Sequence, residues 1–317
     1  MKLTIVAGGA GFIGTNLCKK LIGEGHRVLA IDNLITSSDK NLKSLLKNPR
    51  FRFIKHDIVK PIQSVLRTIN YELKTIYHLA CPTGVANIKK FGEEMLLTSS
   101  LGTFNILELA REHRAKVLFT SSSEVYGQAQ VFPQAEDYFG YVDPIGYRSP
   151  YEEGKRFAES LIMSYVRKFG LDAKIVRVFN TYGPGMSGRD SRVIPKFLRL
   201  AQENKPLTVE GDGSQTRTFC FIDDLINGLL IVGKKGKKGE VYNLGSNQEI
   251  TISDLSRLII KITGSKSKIR YVKRPIHDHQ RRLPDVGKIK KLGWNKTITL
   301  SAGLQKTWDW YKNVRYL

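Results

Sequence analysis

Cysteine, acidic residues and long apolar runs are all scarce in this chain of 317 residues. The three cysteines, Cys18, Cys81 and Cys220, are odd in number and far apart, which argues against a disulfide framework or a thiolate metal cluster. We therefore expect a cytoplasmic protein without a bound metal. No apolar run approaches the ~20 residues of a membrane span, and the run at 3–7 is too short for a signal peptide. The sequence predicts a soluble chain.

Acidic residues are too few to balance the basic ones. The 51 Lys and Arg against 29 Asp and Glu give a formal net charge of +22. Basic runs lie in the last third of the chain, at 234–238, 266–274 and 288–291. Such runs usually form solvated faces, although the same field would attract an anionic nucleotide or nucleic acid. Because no zinc-finger spacing or aromatic-basic motif is present, nucleic acid is the minor alternative.

The first motif that is present is a glycine-rich turn between a predicted strand and a predicted helix. Gly8 permits the tight turn, Gly11 lets a pyrophosphate approach the helix N-terminus, and Gly14 lets helix and strand pack closely. A second predicted strand ends in Asp32, where a carboxylate would bind the adenosine ribose. These features predict a nicotinamide dinucleotide site. Asp32 favours NAD over NADP because it would repel a 2′-phosphate.

Further cofactor contacts are expected at the ends of the next strands, predicted at 51–55 and 75–79. Asp57 would lie near the adenine, unless it only caps the following turn. The residues expected to contact the dinucleotide are Gly8, Gly11, Phe12, Ile13, Gly14, Asp32, Asn33, Asp57, Ile58, Leu79, Ala80, Tyr151 and Lys155.

The second motif combines a serine-rich strand end with a tyrosine-lysine pair. A short apolar strand runs into Ser122, Ser123 and Glu124, and Tyr151 follows about thirty residues later. Because Lys155 is four residues further on, both side chains would share one face of a helix. The ammonium would then lower the pKa of the phenol and make it a base near neutral pH. Alone, such a pair is typical of an ordinary helix surface; its position after the two other motifs favours catalysis.

Two predicted helices, around 95–111 and 151–167, carry more apolar residues than one core face needs. Apolar residues recur at helical spacing at 97, 101, 104 and 107, and again at Ala158, Leu161, Ile162 and Tyr165. Others lie off these stripes: Ile106, Leu109, Met163 and Val166. We interpret this second apolar face as the contact with a partner subunit in a homodimeric four-helix bundle.

The alternation of strands and helices predicts an α/β fold with a Rossmann-type, doubly wound parallel sheet and a smaller α/β C-terminal lobe. We expect the dinucleotide-binding domain at 1–179, with segments around 218–245 returning to it, and the substrate lobe at 180–317. The turn-rich segment 180–185 marks the boundary. Trp294, Trp308 and Trp310 are expected to pack inside this lobe or between lobes.

Together the motifs resemble a known family over essentially the whole chain. The glycine turn, the segment 121–127, Tyr151 with Lys155, and 180–184 are similar to the extended short-chain dehydrogenase/reductase family of nucleotide-sugar epimerases, dehydratases and decarboxylases. The segment 143–156, together with 207–217 and 281–285, most resembles the members that decarboxylate UDP-glucuronate to UDP-xylose. The resemblance implies an NAD-dependent reaction through a 4-keto sugar.

Specific roles follow from this resemblance. Tyr151 would take the proton of the sugar 4-hydroxyl, Lys155 would hold the nicotinamide ribose, and Ser122 would hydrogen-bond the same sugar oxygen. Glu124 and Arg282 would manage the carboxylate and the proton at C5, with Arg281 as an alternative to Arg282. The implied catalytic set is Ser122, Ser123, Glu124, Tyr151, Lys155 and Arg282, and the implied diphosphate ligands are Asn180, Arg192, Arg217 and Asp278.

Departures from the family pattern keep other activities open. The segment 83–87 replaces the usual Ser-Pro-Pro segment, and Gly185 and Glu210 replace an Arg and an aromatic residue. A UDP-sugar is the expected substrate, although another nucleotide is possible. Ser123 stands where dehydratases carry an acid, which disfavours dehydration. A nucleotide-sugar 4-epimerase is the main alternative, and a non-catalytic dinucleotide-binding or RNA-associated scaffold is the minor one.

Overall fold

The computed structural model describes residues 2–62, 71–273 and 280–313. Its strands are β1 (Lys2–Ala7), β2 (Arg27–Asp32), β3 (Phe51–Lys55), β4 (Glu72–His78), β5 (Lys116–Ser122), β6 (Ala173–Val178), β7 (Thr181–Tyr182), β8 (Leu207–Glu210), β9 (Thr216–Thr218), β10 (Cys220–Phe221), β11 (Val241–Leu244), β12 (Glu249–Thr251) and β13 (Ile269–Val272). Its helices are α1 (Phe12–Gly23), α2 (Val85–Leu97), α3 (Thr103–His113), α4 (Ser149–Phe169), α5 (Val193–Gln202), α6 (Ile222–Lys235), α7 (Ile252–Thr263), α8 (Gly287–Lys290) and α9 (Leu300–Asn313).

Seven parallel strands form the central sheet, in the order β11-β6-β5-β4-β1-β2-β3. Both faces are covered by helices, so strands such as β1 are apolar and buried along almost their whole length. The register aligns Ala7 with His78 and His78 with Phe119. The carboxyl ends of β1, β4 and β5 therefore meet at one edge, and the predicted doubly wound α/β fold is confirmed.

Residues 222–244 lie against this sheet although they follow the substrate-lobe segments. β11 pairs with β6 as the edge strand, and α6 packs on β5 and β6. Close packing needs small residues here, because a Cβ at Gly228 would lie 2.5 Å from Leu244 and one at Gly233 would lie 2.9 Å from the Tyr77 hydroxyl. The division at residue 179 stays a prediction.

The other strands form three two-stranded sheets, β10-β7, β12-β9 and β13-β8. Helices α5, α7 and α9 pack against one another beside them. Trp294 and Trp308 are buried and Trp310 packs against the same core, which confirms their expected packing role. The indole N–H of Trp294 donates to the Asp224 carbonyl, 2.9 Å away, and so joins the loop before α9 to α6.

The prediction of which helix faces meet a partner was wrong for α3. Ile106 and Leu109 are fully buried in the core of a single chain, and Met163 and Val166 pack against that core. Leu97, Leu101 and Phe104 are the exposed apolar residues, 36%, 48% and 44% accessible. A π-helical turn at Thr98–Gly102 joins α2 to α3 and shifts the helical phase by about 100°. Both stripes are apolar, so periodicity alone could not assign the inner one.

Several lysines of the basic runs contact the fold's own polar groups. Lys235 and Lys238 donate to the carbonyls of Leu292 and Gly170, and Lys288 pairs with Glu240 at 2.6 Å. Lys235 and Lys238 are exposed and Lys288 is half-buried, so these contacts lie at the surface. Within the ranges that the structure describes, no helix is both long and apolar enough to cross a bilayer.

Candidate active site

The glycine turn brings β1, β4 and α1 closer than side chains would allow. Gly8 has φ +81°, and a Cβ there would lie 2.7 Å from the Ala80 nitrogen, beside Leu79. A Cβ at Gly14 would lie 2.0 Å from the Gly8 carbonyl oxygen. Gly11 precedes α1, so the first-turn N–H groups, including those of Phe12 and Ile13, lack an acceptor within the helix. This cradle fits the pyrophosphate of a dinucleotide.

Asp32 is held rigidly at the end of β2. Its carboxylate accepts hydrogen bonds from Ala10 N at 3.0 Å, Leu34 N at 2.9 Å and the Ser37 hydroxyl at 2.8 Å. It thus links the glycine turn to the loop after β2, in the position predicted for binding the adenosine ribose.

The neighbouring residues Asn33, Asp57 and Ile58 differ in what they can offer a cofactor. Asn33 Nδ2 donates to Asp57 Oδ2 at 3.0 Å, and the other Asp57 oxygen accepts from Val59 N at 3.0 Å. Asp57 therefore does cap its turn, and it also fixes Asn33. The Ile58 side chain is buried against Gly102, so only its backbone could reach a cofactor.

Tyr151 and Lys155 lie on one face of α4, as their spacing predicted. The helix begins at Ser149 with a proline in its first turn, where the missing N–H costs nothing. Lys155 is buried; its Nζ donates to the Thr120 carbonyl at 2.9 Å and lies 4.6 Å from the Phe119 ring centre. The Ser122 hydroxyl is hydrogen-bonded to the Tyr151 phenol. The ends of β5 and α4 thus bring both motifs together.

The predicted depression of the Tyr151 pKa is not present in this structure. Burial raises the pKa of Tyr151, and the nearby Cys81 and Glu124 raise it further, against the lowering effect of the Ser122 hydrogen bond. The Lys155 ammonium faces the Thr120 carbonyl and lies 5.9 Å from the centre of the Tyr151 ring. Burial also lowers the pKa of Lys155. Spacing predicted the shared face but not the direction in which the ammonium points.

Glu124 is fixed between two arginines. Its Oε2 accepts from Arg148 Nε at 3.2 Å, and its Oε1 forms an ion pair with Arg282 Nη1. The same Arg282 nitrogen lies 3.4 Å from the Ser123 hydroxyl. The three side chains are largely buried, at 13%, 16% and 7% exposure for Glu124, Arg148 and Arg282. Because the cluster is largely buried, its charges interact more strongly with a group that enters than they would in water.

The two adjacent arginines of the C-terminal lobe have different roles. Arg281 pairs with Glu249 at 2.6 Å on the surface and lies over the Phe132 ring. Arg282 is buried, and in the described part of the chain its Nη2 has no hydrogen-bond partner. The structure therefore directs Arg282, and not Arg281, towards Glu124.

The four residues expected to hold a diphosphate are not all brought together. Arg192 is partly exposed and pairs with Asp190 at 2.6 Å, yet it is close enough to lower the pKa of Tyr151. Arg217 Nη1 donates to the Thr216 carbonyl at 2.8 Å. Asn180 is half-buried at the boundary between lobes. Asp278 lies outside the described residues.

Two residues of the site were missed by sequence reasoning. Arg148 and Glu152 both enter the cluster around Glu124, and Arg148 Nε lies 3.2 Å from Glu152 Oε1. Their spacing of four residues at a helix start was the available signal, because such pairs share a helix face. Nothing in the sequence indicated that this face meets Glu124.

Comparison with known proteins agrees with this site. Residues 4–245 match the NAD dependent epimerase/dehydratase family. The chain is 41% identical over 310 residues to UDP-glucuronic acid decarboxylase 1 of Arabidopsis thaliana, covering 98% of this chain and 69% of the relative. It is 39% identical over 312 residues to UDP-glucuronic acid decarboxylase 1 of Xenopus tropicalis, covering 98% and 72%.

Among solved structures, the chain is similar to the UDP-glucuronic acid 4-epimerase of Bacillus cereus in complex with UDP-glucuronic acid and NAD. The two are 31% identical with a TM-score of 0.87, and 99% of each chain is covered. The predictions of an enzyme and of NAD as its cofactor are thereby confirmed. This chain belongs to the NAD-dependent epimerase/dehydratase family, the extended short-chain dehydrogenases/reductases.

Proposed function

We propose that this protein decarboxylates UDP-glucuronate to UDP-xylose, with NAD as a cofactor that is regenerated in each turnover. The observation that carries the proposal is Arg282, a buried guanidinium beside Glu124 whose Nη2 has no hydrogen-bond partner among the residues that the structure describes. Relatives about 40% identical over almost the whole chain bear the name of this activity.

The free nitrogen of Arg282 is suited to a carboxylate ligand. A buried donor without an acceptor costs about 1–3 kcal/mol, so the site gains when an acceptor enters. Carboxylates match the planar fork of a guanidinium. Because Arg282 comes from the C-terminal lobe and Glu124 from the end of β5, a sugar carboxylate placed there would lie between the lobes.

The first chemical step belongs to Tyr151. Bound NAD⁺ supplies the hydride acceptor and a positively charged ring. That charge would offset the burial that raises the pKa of Tyr151. Tyr151 then takes the proton of the sugar 4-hydroxyl while C4 is oxidised to a ketone, and Ser122 orients the same oxygen.

The second step breaks the bond between C5 and the carboxylate. A ketone at C4 is beta to this carboxylate, so the electron pair is delocalised onto the 4-oxygen as CO₂ leaves. Protonated Tyr151 stabilises the resulting enolate, and Glu124 delivers a proton to C5. Tyr151 would then return its proton to the 4-oxygen as C4 is reduced again, which would give UDP-xylose and restore the cofactor.

The second candidate is 4-epimerisation of UDP-glucuronate. It is favoured by the similarity to the Bacillus cereus 4-epimerase, whose substrate carries the same carboxylate. Epimerisation needs the keto sugar to turn over and no proton delivery to C5. The largely buried Glu124 between Arg148 and Arg282 would then have no chemical role, which makes decarboxylation the better explanation.

One incubation separates these reactions. The purified protein is given UDP-glucuronate and catalytic NAD⁺, and products are followed by NMR together with released CO₂. UDP-xylose with an equal amount of CO₂ is the expected result. Catalytic NAD⁺ should suffice, because the cofactor is regenerated in each turnover. UDP-galacturonate without CO₂ would support the epimerase, and so would a parallel incubation in which only neutral hexose nucleotides are converted. Thermal shifts with UDP, GDP and dTDP identify the nucleotide.

We propose further that the protein is a homodimer in which α2, α3 and α4 pair with their copies. The support is an exposed apolar stripe that runs along these helices and includes Leu97, Leu101, Phe104 and Phe157, the last of which is 53% accessible. Exposed apolar residues grouped on neighbouring helices are typical of an interaction site, and a two-fold axis would bury them against their copies.

Light scattering at micromolar concentration should therefore give about twice the mass of one chain. We expect Leu101→Glu to produce monomers, because a carboxylate would be buried in an apolar interface. Leu46, which is 52% accessible and lies away from these helices, provides the control, and Leu46→Glu should stay dimeric. A monomeric wild type would contradict the proposal.

A further inference from the structure

The cluster around Glu124 contains a second carboxyl group that no step above has used. Glu152 lies in the first turn of α4 and is 4% exposed. A single nitrogen, Arg148 Nε, is 3.2 Å from Glu124 Oε2 and 3.2 Å from Glu152 Oε1. Two carboxyl groups thus share one donor inside a buried site, an arrangement that favours retention of a proton between them.

The groups facing Glu152 come from three elements. Glu124 follows β5, Arg148 precedes α4, and Arg282 belongs to the C-terminal lobe. The neighbouring turn of α4 packs at Gly154 against the uncharged Met95 and Ser99. Burial, reinforced by the Glu124 carboxylate and by a hydrogen bond between the two carboxyl groups, raises the pKa of Glu152 to about 7.

The charges of the cluster match an anionic substrate. Two guanidinium groups and two carboxylates cancel, so one shared proton leaves the cluster with a net charge of +1. A sugar carboxylate entering beside Arg282 would neutralise it. If the proton were absent, the same carboxylate would enter a site of zero net charge, which would attract it less strongly.

The overall reaction also needs one proton. The substrate enters as a carboxylate and leaves as CO₂ and a neutral pentose, so each turnover consumes one proton, which ends on C5. Tyr151 cannot provide it, because the proton that it takes from the 4-hydroxyl is returned to the 4-oxygen. The supply must come from another acid at the site.

Resting on the function proposed above, we propose that Glu152 is a positioning residue that shares one proton with Glu124, and that this proton is delivered to C5. Glu124 contacts the substrate and transfers the proton to C5, and Glu152 supplies Glu124 with that proton. Without Glu152, Glu124 would lie between two guanidinium groups with no second carboxyl, and it would remain ionised.

The pH dependence of product formation tests this role. The pair holds its proton below about pH 7 and loses it as the pH rises, so the wild-type rate of UDP-xylose formation should fall through this range. In Glu152→Gln this descending limb of the pH–rate profile should disappear. Below pH 7 the rate of UDP-xylose formation should be about 10²-fold lower than that of the wild type. NADH should accumulate, because oxidation at C4 still proceeds while C5 is not protonated.

Two variants serve as controls. Glu153→Gln removes the adjacent carboxyl, which pairs with Arg156 at 3.6 Å on the partly exposed side of α4, and it should behave as wild type. Glu152→Asp keeps a carboxyl and should keep the limb near pH 7, whatever its rate. Because Asp retains the charge, it also provides the test should Glu152→Gln not fold.

The outcomes distinguish this proposal from the proposed function. A wild type that releases no CO₂ refutes the decarboxylase itself. A wild type that decarboxylates, with Glu152→Gln showing the same pH limb and a rate within about twofold, overturns only the shared proton. Glu152→Asp without the limb would overturn it as well.

Discussion

Replacing Tyr151 by phenylalanine should lower kcat by about 10²- to 10⁴-fold, the usual contribution of a positioned acid-base group. The ring still fills its place on α4, while the oxygen that is hydrogen-bonded to Ser122 is lost. The glycine turn and Asp32, which we expect to hold most of the dinucleotide, are unchanged by the substitution, so NAD should still bind. UDP-xylose formation by NMR and the NAD content of the purified protein give the two readouts.

A matched control is available in Tyr141, which is 61% exposed. Tyr141→Phe should turn over like the wild type. If Tyr151→Phe also kept full turnover, the catalytic assignment would fail. A wild type without any sugar-nucleotide activity that binds RNA at physiological salt would instead support the scaffold alternative.

Replacing Arg282 by alanine should lower the rate of decarboxylation much more than it lowers the affinity for the nucleotide. Loss of a preorganised charge at the reacting group typically costs about 10²- to 10³-fold in kcat. Breaking a buried ion pair also destabilises by about 3–5 kcal/mol, since Glu124 would keep only Arg148. CO₂ release, the affinity for UDP and the melting temperature should be measured together.

The neighbouring arginine is the matched control for this experiment. Arg281 pairs with Glu249 on the surface, so Arg281→Ala should cost no more than about 1 kcal/mol and leave kcat near wild type. Arg282→Lys keeps the charge without the planar fork and should recover only part of the activity. Equal losses of activity in both alanine variants would contradict the assignment of Arg282 to the substrate carboxylate.

Some features of this protein followed from the sequence alone because their causes are local. The spacing of Gly8 and Gly14 reflects backbone contacts that admit no Cβ, and such contacts between a strand and the following helix are typical of a dinucleotide-binding turn. The four-residue separation of Tyr151 and Lys155 fixes a shared helix face whatever surrounds it. Alternating apolar strands and helices determined the parallel sheet, because only helices on both faces bury such strands.

Features that depend on long-range contacts could not be predicted from the sequence. Periodicity found two apolar stripes across α2 and α3 but could not tell which one the sheet covers, and the π-helical turn shifted their phase. The pKa of Tyr151 depends on burial and on where the Lys155 ammonium points, neither of which spacing encodes.

The charged cluster shows the same division most clearly. Sequence placed Glu124 at a strand end and, by resemblance, Arg282 in the second lobe, but it left Arg281 as an equal alternative. Only the tertiary structure shows that Arg281 lies at the surface and that Arg148 and Glu152 lie beside Glu124. These groups lie at the end of β5, at the start of α4 and in a segment more than a hundred residues later. Their protonation depends on how close they lie to one another and how deeply they are buried, and no local sequence pattern determines either quantity.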